Sequence, residues 1–213
     1  MKVYFVGAGP GDPQLLTIKA AGVIKKADII IYAGSLINHD ILKSARKDAR
    51  LYDSSAMDLE EVLHLIGKAR STSKIIARIH SGDPSIYGAI QEQMDWCQMQ
   101  GIEYSVIPGI SSFQAAAASL KQELTLPGVS QTVILTRISG RTPVPEKEAL
   151  QKLAEARATM VIFLSIDRID SVVKNLVECY GLNSPVAVIE KVSSPAERKI
   201  TGTLRDIAKK VKK

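Results

Sequence analysis

The sequence has few of the features that stabilise small secreted proteins or anchor proteins in membranes. Its two cysteines, Cys97 and Cys179, are far apart, and neither belongs to a CxxC pair or has a histidine nearby. We therefore expect buried free thiols rather than a disulfide or metal ligands. No apolar run approaches the roughly 20 residues of a membrane-spanning helix. Residues 1–7 lack the pattern of a signal peptide, so we expect a cytoplasmic protein without a membrane segment.

Aromatic residues are also scarce, at 5% of the chain, and no basic stripe is interleaved with them. The formal net charge of +6 favours an anionic partner, either a nucleic acid or a polycarboxylate. Part of the excess lies in the last five residues, which include four lysines and could form a solvated helix end. Because nucleic-acid surfaces usually combine clustered basic residues with a recognisable binding motif, the sequence argues against an RNA-binding function.

Several catalytic and cofactor motifs are missing as well. The three histidines share no metal-ligand spacing, and there is no GxSxG elbow and no Walker loop, so we expect no metal site. The glycine-rich loop at residues 7–13 does not match GxGxxG, because Asp12 occupies the third glycine position. Pro10 and Pro13 also remove two amides that could bind a pyrophosphate. A nucleotide-dependent oxidoreductase is therefore disfavoured.

The pattern that is present alternates apolar strands with amphipathic helices. It predicts an α/β fold with two α/β domains, residues 1–121 and 122–213, the first built on a parallel sheet with helices on both faces. The boundary follows from the polar and proline-containing stretch at 121–131. Helical spacing of apolar residues predicts helices within 15–27, 57–69, 86–101, 113–120, 146–156, 169–180 and 204–211.

Three predicted strands end in loops that could bind a ligand, at residues 7–13, 81–85 and 108–112. In open α/β sheets, ligands bind at the carboxyl ends of the strands. Asp83 places a carboxylate there, which suits a cationic or hydroxyl-rich ligand, although it could equally be the N-cap of the next helix. Ser111 and Ser112 likewise could lie beside a ligand or cap the following helix.

These loops resemble three signatures of the tetrapyrrole methyltransferases. They are VGAGPGDP at 6–13, SGDP at 81–84 and VIPGISS at 106–112. IYAGSL at 31–36 and TRISGRTP at 136–143 further resemble the precorrin-4 or cobalt-precorrin-4 C11-methyltransferases of cobalamin synthesis. The resemblance covers essentially the whole chain. Members of this family usually continue into a final strand, whereas the sequence stops at Lys213.

The resemblance implies a homodimer that binds S-adenosylmethionine in a cleft between the two α/β domains. It implies nine cofactor-binding residues, which are Pro10, Ser81, Gly82, Asp83, Ile86, Ser111, Ser112, Leu164 and Val192. A sulfonium compound with an ammonium group suits carboxylate and carbonyl oxygens, which agrees with the composition of these loops. The implied reaction is methylation of a tetrapyrrole polycarboxylate, with another corrin-ring or uroporphyrinogen III methyltransferase, or an RNA methyltransferase of the same fold, as alternatives.

Methyl transfer depends mainly on alignment of donor and acceptor carbons, so no strong acid–base pair is required. Asp12 and Tyr87 are candidate catalytic residues that could steer a proton or the ring, although either could be structural. Arg137, Arg141 and Lys191 follow predicted strands of the second domain and could bind substrate carboxylates, since arginine matches a carboxylate with two parallel hydrogen bonds.

Overall fold

A computed structural model describes residues 1–70, 74–140 and 142–212 of the chain. Contacts within the chain group it into two compact units. Unit 1 comprises Met1–Ala115 and Lys191–Ala196, and unit 2 comprises Ala116–Glu190 and the residues from Glu197 onward. The expected domain limits, 1–121 and 122–213, remain a prediction. No helix among the described residues is both long and apolar enough to cross a membrane.

Unit 1 is built on a five-stranded sheet in which all neighbouring strands are parallel, as predicted. Its strands are β1 (Lys2–Gly7), β2 (Ile29–Tyr32), β3 (Arg50–Asp53), β4 (Ile75–His80) and β5 (Glu103–Ile107). The strand order is β3-β2-β4-β1-β5. Gly7 pairs with His80, and Val6 pairs with Ile107. The carboxyl ends of β4, β1 and β5 therefore lie side by side at one edge of the sheet.

Helices cover both faces of this sheet, also as predicted. They are α1 (Ile18–Lys26), α2 (Leu59–Lys68) and α3 (Gln91–Met99), and a further helix, α4 (Ser112–Leu120), begins in unit 1 and runs past its end. One apolar cluster packs Ile24 of α1 against Val6 and Ile30. The other packs Val62 and Ile66 of α2 against the opposite face. Cys97 is buried in this second cluster, and burial raises the pKa of its thiol to about 11; Cys179 is also a free thiol, partly exposed.

Two predicted helix starts in unit 1 are wrong. The first helix was expected from about residue 15, but a 3-10 turn, Pro13–Leu15, comes first and the Thr17 side chain then caps α1. The helix after Pro84 was expected near residue 86, but α3 begins only at Gln91. Between Pro84 and Gln91 the backbone is irregular, with Tyr87 at φ 55° and Ala89 at φ 48°. Left-handed residues cannot continue a right-handed helix, so the apolar spacing was misleading.

The described residues of unit 2 form one parallel and one antiparallel strand pair. The parallel pair is β6 (Val133–Arg137) and β7 (Thr159–Phe163), and the antiparallel pair is β8 (Pro185–Glu190) and β9 (Arg198–Thr203). Its helices are α5 (Leu150–Ala154), α6 (Ile169–Tyr180) and α7 (Ile207–Val211). The predicted limits of α6 are confirmed. The helix expected at 146–156 is instead a 3-10 turn followed by the short α5, and α7 begins three residues later than predicted.

Candidate functional site

The ends of β1, β4 and β5 approach each other so closely that glycine is required. A Cβ atom on Gly7 would lie 2.5 Å from the backbone nitrogen of Gly109 and 2.8 Å from the carbonyl oxygen of Gly82. The amide of Gly82 donates to the carbonyl of Gly9 at 2.7 Å, and the Gly9 amide donates back at 3.2 Å. Gly82 adopts φ 61°, which glycine tolerates best. The loops therefore form a closely packed backbone edge, in which Gly7, Gly9 and Gly82 are buried.

Asp83 places a carboxylate at this edge and connects two of the loops. Its Oδ2 accepts a hydrogen bond from the amide of Gly109 at 2.9 Å, and its Oδ1 accepts from the amide of Ser85 at 2.8 Å and from the Ser85 hydroxyl. Burial acts to raise the pKa of Asp83, but these hydrogen bonds outweigh it and lower that pKa. Because α3 begins at Gln91, Asp83 caps a turn, and its interpretation as a helix N-cap is wrong.

The glycine-rich loop is held by three polar side chains from different parts of unit 1. Asp12 caps the 3-10 turn, where its Oδ1 accepts from the amide of Gln14 at 2.8 Å. The Asp12 amide donates to Oγ of Ser193 at 3.0 Å. The side-chain amide of Asn38 donates to the carbonyl of Gly11 at 2.8 Å. Asn38 and Ser193 lie far away in sequence and were not predicted.

The segment 191–196 contributes Val192 to the same loop. A Cβ atom on Gly11 would lie 3.0 Å from the carbonyl oxygen of Val192, whose side chain is buried. Lys191 and Ser193, on either side, adopt left-handed conformations with φ of 49° and 61°. The structure thus brings the predicted residue Val192 to the glycine loop, while Lys191 is exposed.

Ser111 lies beside Gly82, where a Cβ atom on the glycine would be 3.5 Å from the Ser111 Cα atom. The amide of Ser111 donates to Oε1 of Gln114 at 2.9 Å, so a glutamine side chain satisfies this amide at the start of α4. The spacing S-x-x-Q at 111–114 is a capping-box pattern, from which this contact could have been predicted. Ser112 is the first residue of α4. Whether the two hydroxyls contact a ligand remains a prediction.

The remaining predicted residues of unit 1 also lie on the loops that follow the strands. Ser81 is exposed, Pro10 and Ile86 are partly exposed, and Tyr87 is 44% exposed. Their roles, and those of the other predicted site residues, remain predictions. The described residues contain no group of three or more side chains that could hold a metal ion.

Two basic side chains lie buried beneath the edge, on β4. The Arg78 guanidinium donates to Oγ of Ser54 at 2.8 Å and to Oε1 of Gln93 at 3.3 Å. Burial lowers the pKa of Arg78 to about 10. Burial and the nearby charge of Arg78 lower the pKa of His80 to about 3, so His80 is neutral at pH 7. Because Arg78 is buried and His80 is buried and neutral, neither side chain places an exposed positive charge at the edge that would repel a cationic ligand.

Three predicted residues belong to unit 2 by sequence. Leu164 directly follows β7, is 75% exposed and adopts φ 51°. Arg137 ends β6, and its guanidinium donates to the carbonyls of Thr142 at 2.9 Å and Pro143 at 3.1 Å. Arg137 therefore holds the following loop, whatever else it binds. Arg141 lies outside the described residues.

These features define an α/β protein with a backbone-lined edge and one ionised carboxylate, a combination suited to a small cationic ligand. The model of the tetrapyrrole (corrin/porphyrin) methylases matches residues 2–208, and the chain belongs to this family. The resemblance inferred from the glycine-rich loops is thus confirmed.

Individual relatives agree with this assignment. The chain is 55% identical to a cobalt-precorrin-4 C(11)-methyltransferase of Methanocaldococcus jannaschii, over all of the chain and 82% of that protein. It is 44% identical to a precorrin-4 C(11)-methyltransferase of Pseudomonas aeruginosa, over 99% of the chain and 84% of that protein. Among solved structures, a cobalt precorrin-4 methyltransferase superposes with a TM-score of 0.96 and 38% identity, covering 99% of this chain and 89% of its own.

Proposed function

We propose that this chain transfers a methyl group from S-adenosylmethionine to carbon 11 of precorrin-4 or cobalt-precorrin-4 in cobalamin biosynthesis. The observation that carries the proposal is the 55% and 44% identity, over nearly the whole chain, to two enzymes named for this reaction. A uroporphyrin-III C-methyltransferase of Thermus thermophilus, which also shares the fold, was solved with S-adenosyl homocysteine. Its lower identity of 27% favours the C11 reaction over this alternative.

The residues at the carboxyl edge of unit 1 fit the cofactor. An ionised carboxylate held at a backbone edge suits a molecule that carries a sulfonium and an ammonium group. Asp83 and Ser81 would hold the amino-acid and ribose part, with the backbone at Gly82 beside it. Prolines at 10 and 108 leave few amides at the loop mouths, which disfavours a phosphate ligand. When bound, S-adenosylmethionine supplies an electrophilic methyl group.

The chain's own contribution to catalysis is chiefly alignment. The crossing of Gly7, Gly82 and Gly109 fixes the backbone that would hold the cofactor, since no side chain can enter it. Asp83 would bind the ammonium and so orient the rest of the molecule. Asp12 and Tyr87 remain the candidates for steering a proton or the ring. Asp12 already caps a turn through Oδ1, which leaves Oδ2 to interact with another group.

The proposed substrate carries several carboxylates, which positively charged side chains can bind. Arg137, Lys191 and Arg141 are the candidates from the sequence. Lys191 is exposed, whereas two terminal nitrogens of Arg137 already donate hydrogen bonds to the backbone carbonyls of residues 142–143. We further propose that the protein acts in the cytoplasm as a homodimer, as the family resemblance implies. Light scattering on the purified protein would measure its mass in solution.

The proposal is tested by incubating the protein with labelled S-adenosylmethionine and a set of early corrinoid intermediates. We expect one added methyl group on precorrin-4 or its cobalt form, and NMR should locate it at carbon 11. Methylation of uroporphyrinogen III instead would favour the alternative enzyme. A salt-titrated binding measurement with ribosomal RNA serves as a control for the RNA alternative, and we expect no specific complex.

A further inference from the structure

Two arginines at one edge of unit 2 have no acidic partner among the described residues. Arg137 ends β6, and Arg168 lies in the short 3-10 turn that follows β7. Other basic side chains of this unit do form ion pairs, such as Lys152 with Glu146. Because β6 and β7 are parallel, both arginines lie at the carboxyl edge of the pair, where α/β proteins bind ligands.

The two arginines differ in how many of their N–H groups donate hydrogen bonds within the chain. Arg137 uses both terminal nitrogens on the carbonyls of Thr142 and Pro143. Arg168 uses one terminal nitrogen, which donates to the carbonyl of Ser139 at 2.6 Å. An arginine side chain carries five N–H donors. No described residue bonds to Nε or to the other terminal nitrogen of Arg168, so both are available to a further partner, and the residue is exposed.

Apolar side chains are exposed next to Arg168. Leu164 is 75% exposed and Ile166 is 52% exposed. Between them, the buried Ser165 connects the two strand ends: its Oγ accepts from the amide of Ile138 at 3.0 Å and donates to the carbonyl of Phe163 at 2.6 Å. The edge thus combines a fixed backbone, apolar surface and a cation that forms no ion pair with any described residue.

We propose that Arg168 binds a carboxylate of the tetrapyrrole substrate, while Arg137 holds the neighbouring loop in place. This inference rests on the proposed function. A macrocycle with apolar faces and peripheral carboxylates matches the exposed Ile166, two positions before a guanidinium, because the ring can cover the apolar carbons and a carboxylate can accept two hydrogen bonds. Arg168 would then determine affinity for the tetrapyrrole and leave cofactor binding unchanged.

The test compares Arg168→Gln, Arg168→Lys and a control, Arg157→Gln. Arg157 is also exposed, but it precedes β7 and so lies at the opposite edge of the pair. For Arg168→Gln we expect the KM for the C11 substrate to rise about tenfold, equivalent to about 1.4 kcal/mol. The kcat and the Kd for S-adenosylhomocysteine should stay within twofold. Arg168→Lys should recover part of the affinity, and Arg157→Gln should resemble the wild type.

A second measurement keeps this test separate from the test of the proposed function. Uroporphyrin III, a fluorescent tetrapyrrole with eight carboxylates, is titrated against each protein, and Arg168→Gln should bind it more weakly. If the wild type transfers no methyl group, the proposed function fails, and this titration still decides the role of Arg168. Unchanged tetrapyrrole affinity in Arg168→Gln, an equal loss of affinity for S-adenosylhomocysteine, or no tetrapyrrole binding by the wild type would each overturn the inference.

Discussion

Oδ2 of Asp83 and the backbone nitrogen of Gly109 lie 2.9 Å apart, and their hydrogen bond connects the loops that follow β4 and β5. The same carboxylate holds the turn at Ser85 through its other oxygen. Asp83 is thus fixed at both oxygens before any ligand arrives. A preorganised carboxylate loses little conformational freedom on binding, so it can contribute strongly to affinity for a cation.

We expect Asp83→Ala to weaken binding of S-adenosylhomocysteine by more than tenfold, since hydrogen bonds to charged groups contribute about 1.5–3 kcal/mol. Isothermal titration calorimetry measures this directly. Asp83→Asn is the matched variant, because it keeps an oxygen acceptor but removes the charge. Equal affinity in the wild type and both variants would exclude Asp83 from the cofactor site.

Gly7→Ala should lower the free energy of unfolding by about 1–3 kcal/mol, because its Cβ would meet the backbone of Gly109 and Gly82, which cannot rotate away. It should also weaken cofactor binding, since the loops must separate. Gly22→Ala is the control: nothing lies within 4 Å of its Cβ and it lies inside α1, so we expect stabilisation by about 0.5–1 kcal/mol. Urea unfolding of both variants measures the difference. Equal stability of the two variants would contradict the close approach.

His80 should make the protein less stable in acid. Its pKa is lowered to about 3 in the folded protein, whereas in the unfolded chain it should be near 6.5. Between these values the unfolded state binds the additional proton, so stability falls as the pH decreases. From pH 6.5 to pH 4.5 the loss should be about 2 kcal/mol. Urea unfolding at several pH values measures it.

The matched variants for this prediction are His80→Leu and His64→Leu. Replacing His80 by leucine should reduce the acid-dependent loss by about the stated amount, because a leucine cannot take up the proton. His64 is exposed on α2, so its replacement should leave the slope of stability against pH near that of the wild type. A full acid-dependent loss in His80→Leu would show that other groups cause it.

Asp12→Asn should lower kcat about tenfold or more with little change in thermal stability. Asparagine caps a turn about as well as aspartate, so the contact with Gln14 should persist and only the charge is lost. Initial-rate kinetics and thermal unfolding of the same preparation separate the two effects. An unchanged kcat would assign Asp12 a capping role alone.

The sequence predicted those parts of the fold that depend on local pattern. The limits of α6 were correct because an apolar stripe ends at Gly181, whose positive φ (79°) interrupts the helix and is readily adopted by glycine. The segment after Pro84 was mispredicted. The spacing of Ile86, Ala89 and Ile90 fits a helix, but the backbones of Tyr87 and Ala89 are left-handed. No local pattern reports such a conformation in tyrosine or alanine.

The sequence predicted those parts of the candidate site where glycine and aspartate mark a strand end. It did not predict the hydrogen bonds between loops that are distant in sequence. The contacts of Asn38 with Gly11 and of Ser193 with Asp12 join residues that share no sequence pattern. Arg168 was missed for a similar reason. It lies in a short 3-10 turn, and only the structure shows that its guanidinium donates to the carbonyl of Ser139 and has no carboxylate partner among the described residues.

The hydrogen bond between Asp12 and Ser193 spans 181 positions of the chain. During synthesis on a ribosome, the five strands of unit 1 all emerge long before Ser193 does. A nascent chain could therefore form its sheet early, while the glycine-rich loop gains its contact with Ser193 only after that residue has emerged. Competence to bind the methyl donor should accordingly appear only once the segment around Ser193 has been synthesised.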